Sequence, residues 1–377
     1  MLKIGITGQS GFIGTHLYNY LGLQDGVERI PFSDKYFESE EKLNIFVSQC
    51  DVIVHLAAMN RHGNPQVIYD TNIKLVKKLI SACEITKSKP HILFSSSTQE
   101  DHDNLYGKSK KEGRILFEKW AINNGAKFSG LVIPNVFGPF GNPYYNSFIA
   151  TFCHQLTHGE QPRIEVDGEV KLIYVGELVK EVYKKIKDKS RKGKVGETLE
   201  YKVPFTSVNK VSVILDLLEE YKENYFEKGI VPSLDNEFEK NLFNTFLCYI
   251  DHQSFFPFHL TKHSDDRGSF VETVKLNSGG QVSFSTTVPG ITRGNHYHTR
   301  KAERFAVIKG KARIDIRKIG TEEILSFKLD GEQPSFVDMP IWFTHNITNI
   351  GDEDLYTIFW ISEHYNPEDG DTFFEEV

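Results

Sequence analysis

Tyr106 and Lys110 stand four residues apart in the segment Tyr-Gly-Lys-Ser-Lys, a spacing of one helical turn. On a helix both side chains share one face, and an ammonium beside a phenol lowers the pKa of that phenol. Such a tyrosine can donate a proton to a carbonyl oxygen while hydride reaches the carbon. The Y-x-x-x-K spacing alone also arises by chance. A serine run ending at Ser97 follows the predicted strand His91–Phe94, and its hydroxyl could bind the reacting oxygen. Together these features predict carbonyl reduction, with Tyr106, Lys110 and Ser97 as catalytic residues.

A glycine-rich turn follows the first predicted strand, in the order Thr-Gly-Gln-Ser-Gly-Phe-Ile-Gly from Thr7 to Gly14. Gly8 permits the tight turn, Gly11 lets the backbone approach a pyrophosphate, and Gly14 lets the next helix pack on the strand. The start of that helix then directs its positive dipole at phosphate. A tight turn without a ligand is the alternative, but the strand-to-helix context favours a dinucleotide site. The residues expected to bind the cofactor here are Thr7, Gly8, Ser10, Gly11, Phe12, Ile13 and Gly14.

The preference between NADH and NADPH depends on the segment Pro31–Lys35. An acidic residue closing the second strand would select NAD through the ribose hydroxyls. Ser33 and Lys35 could instead bind a 2′-phosphate, and Arg61 could add positive charge. We therefore expect NADPH as the cofactor.

A third group of residues has the spacing of a metal site. His296 and His298 are two apart, so on a strand they point to the same face. Glu303 begins the next predicted strand, and His345 arrives from a partner strand. Imidazoles and carboxylates are ligands for Zn, Fe, Ni or Mn. Two solvated histidines beside a glutamate are the alternative. We expect a divalent metal held by His296, His298, Glu303 and His345, and zinc as its identity, in either a structural or a catalytic role.

The elements that must position the first two groups alternate between short apolar runs and longer amphipathic stretches. This alternation predicts a doubly wound, Rossmann-type parallel sheet with helices on both faces. A helix over Val208–Tyr225 is expected to complete this domain. The predicted strands are Leu2–Thr7, Val52–Leu56, His91–Phe94 and Ser129–Pro134, and the predicted helices are Ser10–Leu21, Thr71–Ile85 and Tyr106–Asn124.

From about Phe255 the pattern changes to short alternating runs separated by turn residues. Many short strands with few helices predict a β-barrel or a double-sheet jelly roll. The change places the domain boundary near Asn244–Ser254, and we expect domains at 1–247 and 248–377. The predicted strands of the second domain are Ser269–Leu276, Gln281–Val288, Arg304–Lys309, Ala312–Lys318 and Leu355–Ser362.

Composition limits the partners of the protein. The chain has 377 residues, which suits two cores better than one. Its formal net charge of -7 argues against a nucleic-acid footprint, which needs a basic face. The first residues carry no basic region leading into a long apolar stretch, and no apolar run approaches the ~20 residues that span a bilayer. We therefore expect a cytoplasmic protein with neither a nucleic-acid nor a membrane partner.

The first half resembles the extended short-chain dehydrogenase/reductase family, which is rich in nucleotide-sugar enzymes. The resemblance lies in Thr-Gly-x-x-Gly-Phe-Ile-Gly, His-Leu-Ala-Ala from His55, Ser-Ser-Ser to Ser97, and Tyr-Gly-x-Ser-Lys from Tyr106. It implies that Ser97, Tyr106 and Lys110 form the family's triad. It also implies cofactor contacts at Leu56, Ala57 and Asn72, and substrate contacts at Ser97, Asn135 and Phe137 in the segment Val132–Pro139.

The second half resembles the cupin family through G-x5-H-x-H-x4-E-x6-G from Gly290 and P-x4-H-x3-N from Pro340. Trp342 stands where the second motif usually has glycine. The resemblance implies a metal-binding jelly-roll barrel, and many cupins of the sugar-modifying type epimerise 4-keto sugars beside the ketone. A ketone at C4 acidifies the C3 proton because the carbanion delocalises onto oxygen, and a cation or a donor stabilises that oxyanion. The acid and the base at C3 stay unassigned, with Tyr297 and His364 as candidates.

The combined arrangement resembles the bifunctional capsular polysaccharide synthesis enzymes over nearly the full length, including the segments Ile133–Ser147 and Asp266–Gly268. The resemblance implies C3 epimerisation of a UDP-2-acetamido-2,6-dideoxy-4-hexulose in the cupin and NADPH-dependent reduction at C4. The product would be UDP-N-acetyl-6-deoxy-L-talosamine, on the route to UDP-N-acetyl-L-fucosamine. Cupin sheets often pair across a two-fold axis, so a homodimer is expected.

Three alternatives stay open at this point. The chain could be a 4-keto-sugar reductase whose cupin is only a ligand sensor or a dimerisation module. The cupin could be an oxygen-activating iron enzyme unrelated to sugars. A pure binding protein is the third alternative, but it gives little reason for a serine, a tyrosine and a lysine to coincide.

Overall fold

The computed structural model describes residues 1–188 and 196–377, which form two compact units. The first unit comprises Met1–Phe148 with Gly168–Lys210, and the second comprises Ile149–Asp167 with Val211–Val377. The α-helices, in chain order, are α1 (Phe12–Gly22), α2 (Glu40–Gln49), α3 (Pro65–Thr86), α4 (Leu105–Asn124), α5 (Phe148–Thr157), α6 (Val175–Lys187), α7 (Val211–Tyr221), α8 (Glu237–Leu247) and α9 (His252–Phe255). The strands of the first unit are β1 (Leu2–Thr7), β2 (Val27–Ile30), β3 (Val52–His55), β4 (His91–Ser97), β5 (Phe128–Ile133), β6 (Asn135–Phe137), β7 (Glu169–Tyr174), β8 (Thr198–Lys202) and β9 (Ser207–Lys210).

A six-stranded parallel sheet organises the first unit, in the order β2-β1-β3-β4-β5-β8. From β1 the chain continues to β2 on one side and then crosses to β3 on the other side, so the direction in which strands are added reverses between β1 and β3. In open α/β sheets, ligands bind outside the carboxyl ends of the strands at such a reversal. The glycine turn follows β1 and Leu56 follows β3, so both lie at this point of the sheet.

Helices cover both faces of the sheet, because its strands bury apolar side chains on both sides. Neighbouring residues of β4 show this: Phe94 packs in a cluster with Phe46 and Phe117, while Leu93 packs in a second cluster with Leu17. A glycine at position 5 is required on the crowded face, since a Cβ there would lie 2.4 Å from the Phe46 ring.

A smaller sheet, β6-β7-β9, positions the segment expected to contact substrate. β6 pairs in parallel with β7, placing Asn135 opposite Leu172 and Phe137 opposite Tyr174. The predicted helix over Val208–Tyr225 is wrong at its start, because Ser207–Lys210 pairs with β7 as a strand. The helix begins at Val211 and packs in the second unit, where the Tyr221 ring lies 5.4 Å from that of Phe243.

Antiparallel strands dominate the second unit. Two five-stranded sheets have the orders β11-β20-β17-β22-β15 and β19-β18-β21-β16-β23, and α5, α7, α8 and α9 belong to the same unit. The predicted fold class, a Rossmann-type parallel sheet followed by an all-β region, is confirmed. The strands of this unit are β10 (Ile230–Val231), β11 (Phe258–His259), β12 (Lys262–Asp265), β13 (Gly268–Val271), β14 (Lys275–Leu276), β15 (Gln281–Thr287), β16 (Thr292–Tyr297), β17 (Glu303–Lys309), β18 (Lys311–Lys318), β19 (Ile324–Asp330), β20 (Ser335–Met339), β21 (Phe343–Asn349), β22 (Leu355–Ile361) and β23 (Phe373–Phe374).

The two units do not divide at the residues expected from sequence. The expected boundary at 247/248 falls inside the second unit, between α8 and α9. Helix α8 carries buried Leu242 and Phe246, and the Asn244 side chain donates to the carbonyl of Arg300. Helix α8 therefore belongs to the same unit as the antiparallel sheets.

Within the residues that the structure describes, none of the helices combines the length and the apolar character needed to cross a membrane.

Candidate active site and candidate metal centre

The glycine turn has the geometry that close approach of a phosphate requires. Gly8 adopts φ +73°, and a Cβ there would lie 2.8 Å from the backbone nitrogen of Ala57. A Cβ at Gly14 would lie 2.1 Å from the carbonyl oxygen of Gly8. At Gly11, which precedes α1, only that same oxygen lies near, at 3.3 Å. Helix α1 has neither a capping side chain nor an acidic residue in its first turn. Its first N–H groups are therefore suited to a pyrophosphate, and the residues fit a dinucleotide.

The structure places Lys110 and Tyr106 on α4, the helix that follows the carboxyl end of β4. The Lys110 ammonium is 3% exposed and donates to the carbonyl oxygen of Ser95 at 2.9 Å. It lies 5.7 Å from the centroid of the Tyr106 ring. Asn104 begins α4 by accepting from the backbone N–H of Gly107 at 2.7 Å, which is a standard helix cap. The predicted pairing of the two side chains on one helical face is therefore present.

Electrostatics at the pair differ from the expectation. Burial, with a smaller contribution from Tyr145, raises the pKa of Tyr106 to about 12. Burial also lowers the pKa of Lys110 to about 8. The predicted lowering of the tyrosine pKa is therefore wrong, because desolvation of the buried phenol is the largest effect on this pKa. A protonated phenol is nevertheless the form that can donate a proton to a carbonyl.

Ser97 ends β4 and caps the short 3₁₀ helix Thr98–Asp101, where its Oγ accepts from the N–H of Gln99 at 3.2 Å. The hydroxyl proton remains available for donation. The same short helix carries Glu100, which forms a bidentate pair with Arg114. This pair fixes the connection between β4 and α4, and hence the elements that carry Ser97, Tyr106 and Lys110.

Asn72 is buried and has a structural role in the predicted cofactor site. It connects the loop after β3 to neighbouring elements. Asn72 is 5% exposed, accepts from the N–H of Met59 at 2.7 Å and donates to Ser109 Oγ at 3.0 Å. It therefore ties the loop after β3 to α4. Leu56 donates its N–H to the carbonyl of Thr7 at 3.1 Å, so the ends of β1 and β3 are joined.

Of the residues suggested for binding a 2′-phosphate, the structure places Ser33 and Lys35 after β2, whereas Arg61 contacts a different loop. Ser33 and Lys35 are exposed in the segment after β2, and Ser10 Oγ donates to Asp34 at 3.3 Å. Arg61 lies elsewhere: its guanidinium donates to the carbonyls of Tyr144 and Tyr145. Arg61 Nη1 therefore holds another loop, and the role suggested for Arg61 at the phosphate stays a prediction.

The expected substrate segment separates into an exposed and a buried residue. Asn135 is exposed, and its amide donates to the carbonyl of Lys171 at 3.4 Å. Phe137 is 1% exposed, with its ring 5.5 Å from that of Tyr174. His16 of α1 bonds the carbonyl of Pro139 at 2.9 Å, so the loop after β6 is tied to the glycine-turn helix.

The four predicted metal ligands come together in the second unit. His296, His298, Glu303 and His345 each offer one ligand atom, and these atoms lie within 4.8 Å of one another. One oxygen of Glu303 lies 3.1 Å from His345 Nε2, 3.4 Å from His298 Nε2 and 3.9 Å from His296 Nε2. Three of the ligands are at most 6% exposed, and His296 is the more open member.

A β-bulge aims His296 into the cluster. The register of β16 against β21 shifts between Gly294 and His296, so that His296 pairs directly with His345. Asn295 is the extra residue and adopts φ +57°. Gly294 adopts φ +106°, and a Cβ there would lie 2.8 Å from the carbonyl oxygen of His345. The glycine before the H-x-H motif is therefore required by the bulge.

The tautomers of the buried histidines suit a metal ion. His298 Nδ1 lies 2.6 Å from the carbonyl oxygen of Asp371, and His345 Nδ1 lies 3.2 Å from that of Phe343. A carbonyl accepts only, so each Nδ1 carries the proton and each Nε2 directs a lone pair at the cluster. His298 Nε2 is buried without a hydrogen-bond partner. Such an orphaned lone pair beside a carboxylate fits a bound cation, so the residues fit the expected ion.

Trp342 stands where the cupin motif usually has glycine, and its backbone angle shows why glycine is usual at this position. It adopts φ +63°, a conformation that side chains other than glycine rarely adopt. Its N–H donates to the carbonyl of His298 at 2.8 Å, and its ring stacks on Tyr297 at 5.7 Å. These contacts hold the strained residue in place next to a ligand.

The two candidates for acid and base at C3 lie in different surroundings. Tyr297 is 5% exposed between the rings of Trp342 and Phe373, on the face of β16 opposite His296. His364 is exposed after β22.

Sequence reasoning missed two supporting residues, Asp371 beside His298 and His55 beside Thr7. His55 Nδ1 lies 2.6 Å from Thr7 Oγ1 in the buried core of the crevice. The His-Leu-Ala-Ala segment was a signal for His55, whereas nothing in the local pattern around Asp371 indicates a ligand-supporting residue.

Comparison with known proteins agrees with this geometry. The sequence profile of the NAD dependent epimerase/dehydratase family matches residues 4–200, and that of the polysaccharide biosynthesis C-terminal domain matches residues 263–373. A UDP-2-acetamido-2,6-beta-L-arabino-hexul-4-ose reductase of Pseudomonas aeruginosa is 32% identical over 99% of this chain and 98% of its own length.

Solved structures are also similar to this chain over its whole length. The crystal structure of the capsular polysaccharide assembling protein CapF of Staphylococcus aureus is 35% identical, covers 99% of this chain and 100% of its own, and superposes with a TM-score of 0.62. CapF with the inhibitor 3-isopropenyl-tropolone matches at 32% identity, full coverage of both chains and a TM-score of 0.59. The chain therefore belongs to the NAD dependent epimerase/dehydratase family, as a full-length relative of CapF that also carries the polysaccharide biosynthesis C-terminal domain.

Proposed function

We propose that the first unit reduces the C4 ketone of a UDP-2-acetamido-2,6-dideoxy-4-hexulose with NADPH. The observation that carries this proposal is the placement of Tyr106 and buried Lys110 beside the carboxyl end of β4, in the sheet whose reversal point holds the glycine turn. The substrate class comes from the full-length Pseudomonas relative, whose name specifies a 4-ulose reductase.

The chain's own residues supply the proton and the orientation. A bound nicotinamide cofactor supplies hydride to the C4 carbon. Tyr106 donates its phenolic proton to the C4 oxygen as that oxygen becomes negative, giving a secondary alcohol. The Ser97 hydroxyl donates a hydrogen bond to the same oxygen and stabilises its charge. Lys110 holds the nicotinamide ribose and, as an ammonium, stabilises the tyrosinate left behind. Asn135, which is exposed, contacts the sugar, and Phe137, whose side chain is buried against Tyr174, positions the strand that carries Asn135.

The pH dependence of the reaction is expected to follow Lys110. Burial lowers the pKa of Lys110 from 10.5 to about 8, so its positive charge is present below that pH and is lost above it. The phenol of Tyr106, with a pKa of about 12, stays protonated throughout this range. We expect kcat/KM for NADPH oxidation to fall as the pH rises through about 8. In Lys110→Arg the falling limb should move to higher pH, since arginine stays charged. A limb unmoved by this substitution would exclude Lys110 as its source.

The cofactor preference is expected to depend on Lys35 and Ser33. Both are exposed beside the glycine turn, where a 2′-phosphate would meet them. We expect Lys35→Ala to raise KM for NADPH about tenfold, a loss of ~1.4 kcal/mol of binding, and to leave KM for NADH unchanged. Lys42→Ala, on the neighbouring helix α2, is the matched control and should change neither constant. An equal effect of Lys35→Ala on both cofactors would contradict the assignment.

We propose a second activity, epimerisation at C3 of the same substrate, for the barrel that contains the histidine cluster. His296, His298, Glu303 and His345 would hold a divalent ion, for which zinc is our assignment. Such an ion supplies positive charge that stabilises an enolate oxygen. Removal of the C3 proton and its return on the other face then change the configuration. Reduction at C4 traps the epimer and gives UDP-N-acetyl-6-deoxy-L-talosamine, a precursor of UDP-N-acetyl-L-fucosamine for capsular polysaccharide.

Hydrogen exchange distinguishes the two-activity enzyme from a 4-keto-sugar reductase with a non-catalytic barrel. The purified protein is incubated with the 4-keto substrate in deuterated water without NADPH, and the sugar is followed by NMR. Incorporation of deuterium at C3 supports the epimerase. If C3 keeps its proton while NADPH oxidation proceeds normally, the barrel serves as a sensor or dimerisation module. Metal analysis that finds zinc without iron would count against an oxygen-activating enzyme.

We propose that residues 248–377 form the metal-binding domain and that it mediates a homodimer. Both five-stranded sheets lie within these residues. Strand β15 is an edge strand whose outward Val282 and Phe284 are 55% and 73% exposed, an apolar surface that association would cover. Light scattering of the full chain should give twice the mass of 43.2 kDa. A monomer at micromolar concentration would contradict the dimer.

A further inference from the structure

Residues 369–376 contact the three segments that carry the histidines of the cluster. Phe374 of β23 pairs with His296, and the N–H of Glu375 donates to the carbonyl of Asn295 at 3.0 Å. The Thr344 hydroxyl, next to His345, donates to the carbonyl of Glu375. We refer to residues 369–376 as the strap.

One contact of the strap reaches a ligand directly. The carbonyl oxygen of Asp371 accepts the Nδ1 proton of His298 at 2.6 Å. This bond fixes both the tautomer and the ring plane, and it leaves Nε2 buried and unpaired, facing Glu303. A carbonyl in this position raises the basicity of a metal-ligating imidazole and orients it.

The carboxylate of Asp371 holds that carbonyl in place. Asp371 is 7% exposed. Its carboxylate accepts hydrogen bonds from the N–H and the hydroxyl of Thr299 and from the N–H of Arg300. The shortest of these bonds, from Thr299 Oγ1, measures 2.6 Å. The carboxylate therefore binds the two residues that follow His298 in sequence.

The backbone around Asp371 is held against its own preference. Asp371 adopts φ +42°, in the left-handed region that residues other than glycine rarely adopt. Beside it, the buried ammonium of Lys301 donates to the carbonyl of Gly370 at 2.7 Å. Strained conformations persist only where surrounding contacts fix them, and they concentrate at functional sites.

We propose that Asp371 is a positioning residue for the metal centre: its carboxylate locks the strap onto the loop 299–300, and its carbonyl presets His298 for a divalent cation. This inference rests on the proposed metal site and adds to it a residue outside the H-x-H, glutamate and histidine motifs. The strap pre-organises the ligands, so the cation binds without first having to order the ring of His298.

The test measures metal affinity in the full-length protein, with Zn²⁺ and Co²⁺ as the probes. Asp371→Ala removes all three carboxylate contacts, and Asp371→Asn keeps one acceptor oxygen in a residue that tolerates the left-handed region. Glu363→Gln is the matched control, because Glu363 contacts only the side chain of Arg300 among these residues. Zn²⁺ affinity is obtained by competition with a chelator, and the visible ligand-field band of bound Co²⁺ reports the geometry.

We expect Asp371→Ala to weaken Zn²⁺ binding about tenfold to a hundredfold and to weaken the Co²⁺ band. Asp371→Asn should recover part of the loss, and Glu363→Gln should match the wild type. A folded Asp371→Ala protein with wild-type affinity and an unchanged Co²⁺ band would overturn the proposal.

If Asp371→Ala fails to fold, Thr299→Val decides the matter, since it removes only the hydroxyl contact. Lower affinity in that variant supports the strap, and wild-type affinity overturns it. A wild-type protein that binds neither cation would instead refute the metal site itself, so the two failures are distinguishable.

Discussion

Replacing Tyr106 with phenylalanine is expected to reduce NADPH oxidation by about 10³-fold while leaving deuterium exchange at C3 unchanged. Phenylalanine removes only the hydroxyl that donates the proton, and general acid catalysis contributes typically 10²–10⁴-fold. The ring of the variant still fills the same largely buried site on α4. Stopped-flow absorbance of NADPH gives the first rate, and NMR in deuterated water gives the second.

Tyr69→Phe is the matched control. The Tyr69 hydroxyl, on α3, donates a hydrogen bond to Glu112 on α4, which is not a predicted site residue. It should retain full activity. If Tyr106→Phe loses both activities while its fold is preserved, the proposed division of labour between the two units is wrong.

Replacing His298 with alanine is expected to remove the metal and with it the metal-dependent part of the barrel's stability. His298 is 3% exposed and its Nε2 lies 3.4 Å from the shared Glu303 oxygen, so the alanine variant loses one of the four predicted ligands from the buried part of the cluster. A ligand at a hundredfold above its Kd stabilises the native state by ~2.7 kcal/mol, and this contribution should vanish. Metal content by mass spectrometry and thermal unfolding with and without a chelator measure both effects.

In the wild type the chelator should lower the Tm, whereas in His298→Ala it should have no effect. His263→Ala, an exposed histidine on β12, should behave as the wild type. Stoichiometric metal in a folded His298→Ala protein would mean that the ion lies elsewhere. Loss of NADPH oxidation in this variant would show that the reductase needs the metal centre.

Much of the architecture could be predicted because local patterns and tertiary packing agree. The strand Leu2–Thr7 has the predicted bounds, and α4 begins one residue before the predicted helix. The helix over Pro65–Thr86 is longer than predicted because Asn64 caps it and Pro65 occupies its first position. Ser207–Lys210 could not be predicted as a strand, since its pairing with β7 depends on residues far away in sequence.

The sites show the same division between local and non-local information. The structure brings His296, His298, Glu303 and His345 together, as predicted from strand alternation at the H-x-H pair and from the resemblance to the two cupin motifs. The pKa of Tyr106 could not be predicted in the same way, since burial depends on the packed protein. The contacts of Arg61 could not be predicted either, because its partners, the carbonyls of Tyr144 and Tyr145, lie more than eighty residues along the chain.

The most direct test of the reductase follows one hydrogen atom. The protein is mixed with NADPH carrying deuterium at both hydrogen positions of the nicotinamide C4 and with the UDP-4-keto sugar, and the product is examined by NMR and mass spectrometry. Deuterium at C4 of the sugar, in one configuration and in proportion to the NADPH consumed, is the predicted result. A chain that binds no nicotinamide nucleotide, or that returns a product without that deuterium, would contradict hydride transfer at the crevice of the parallel sheet.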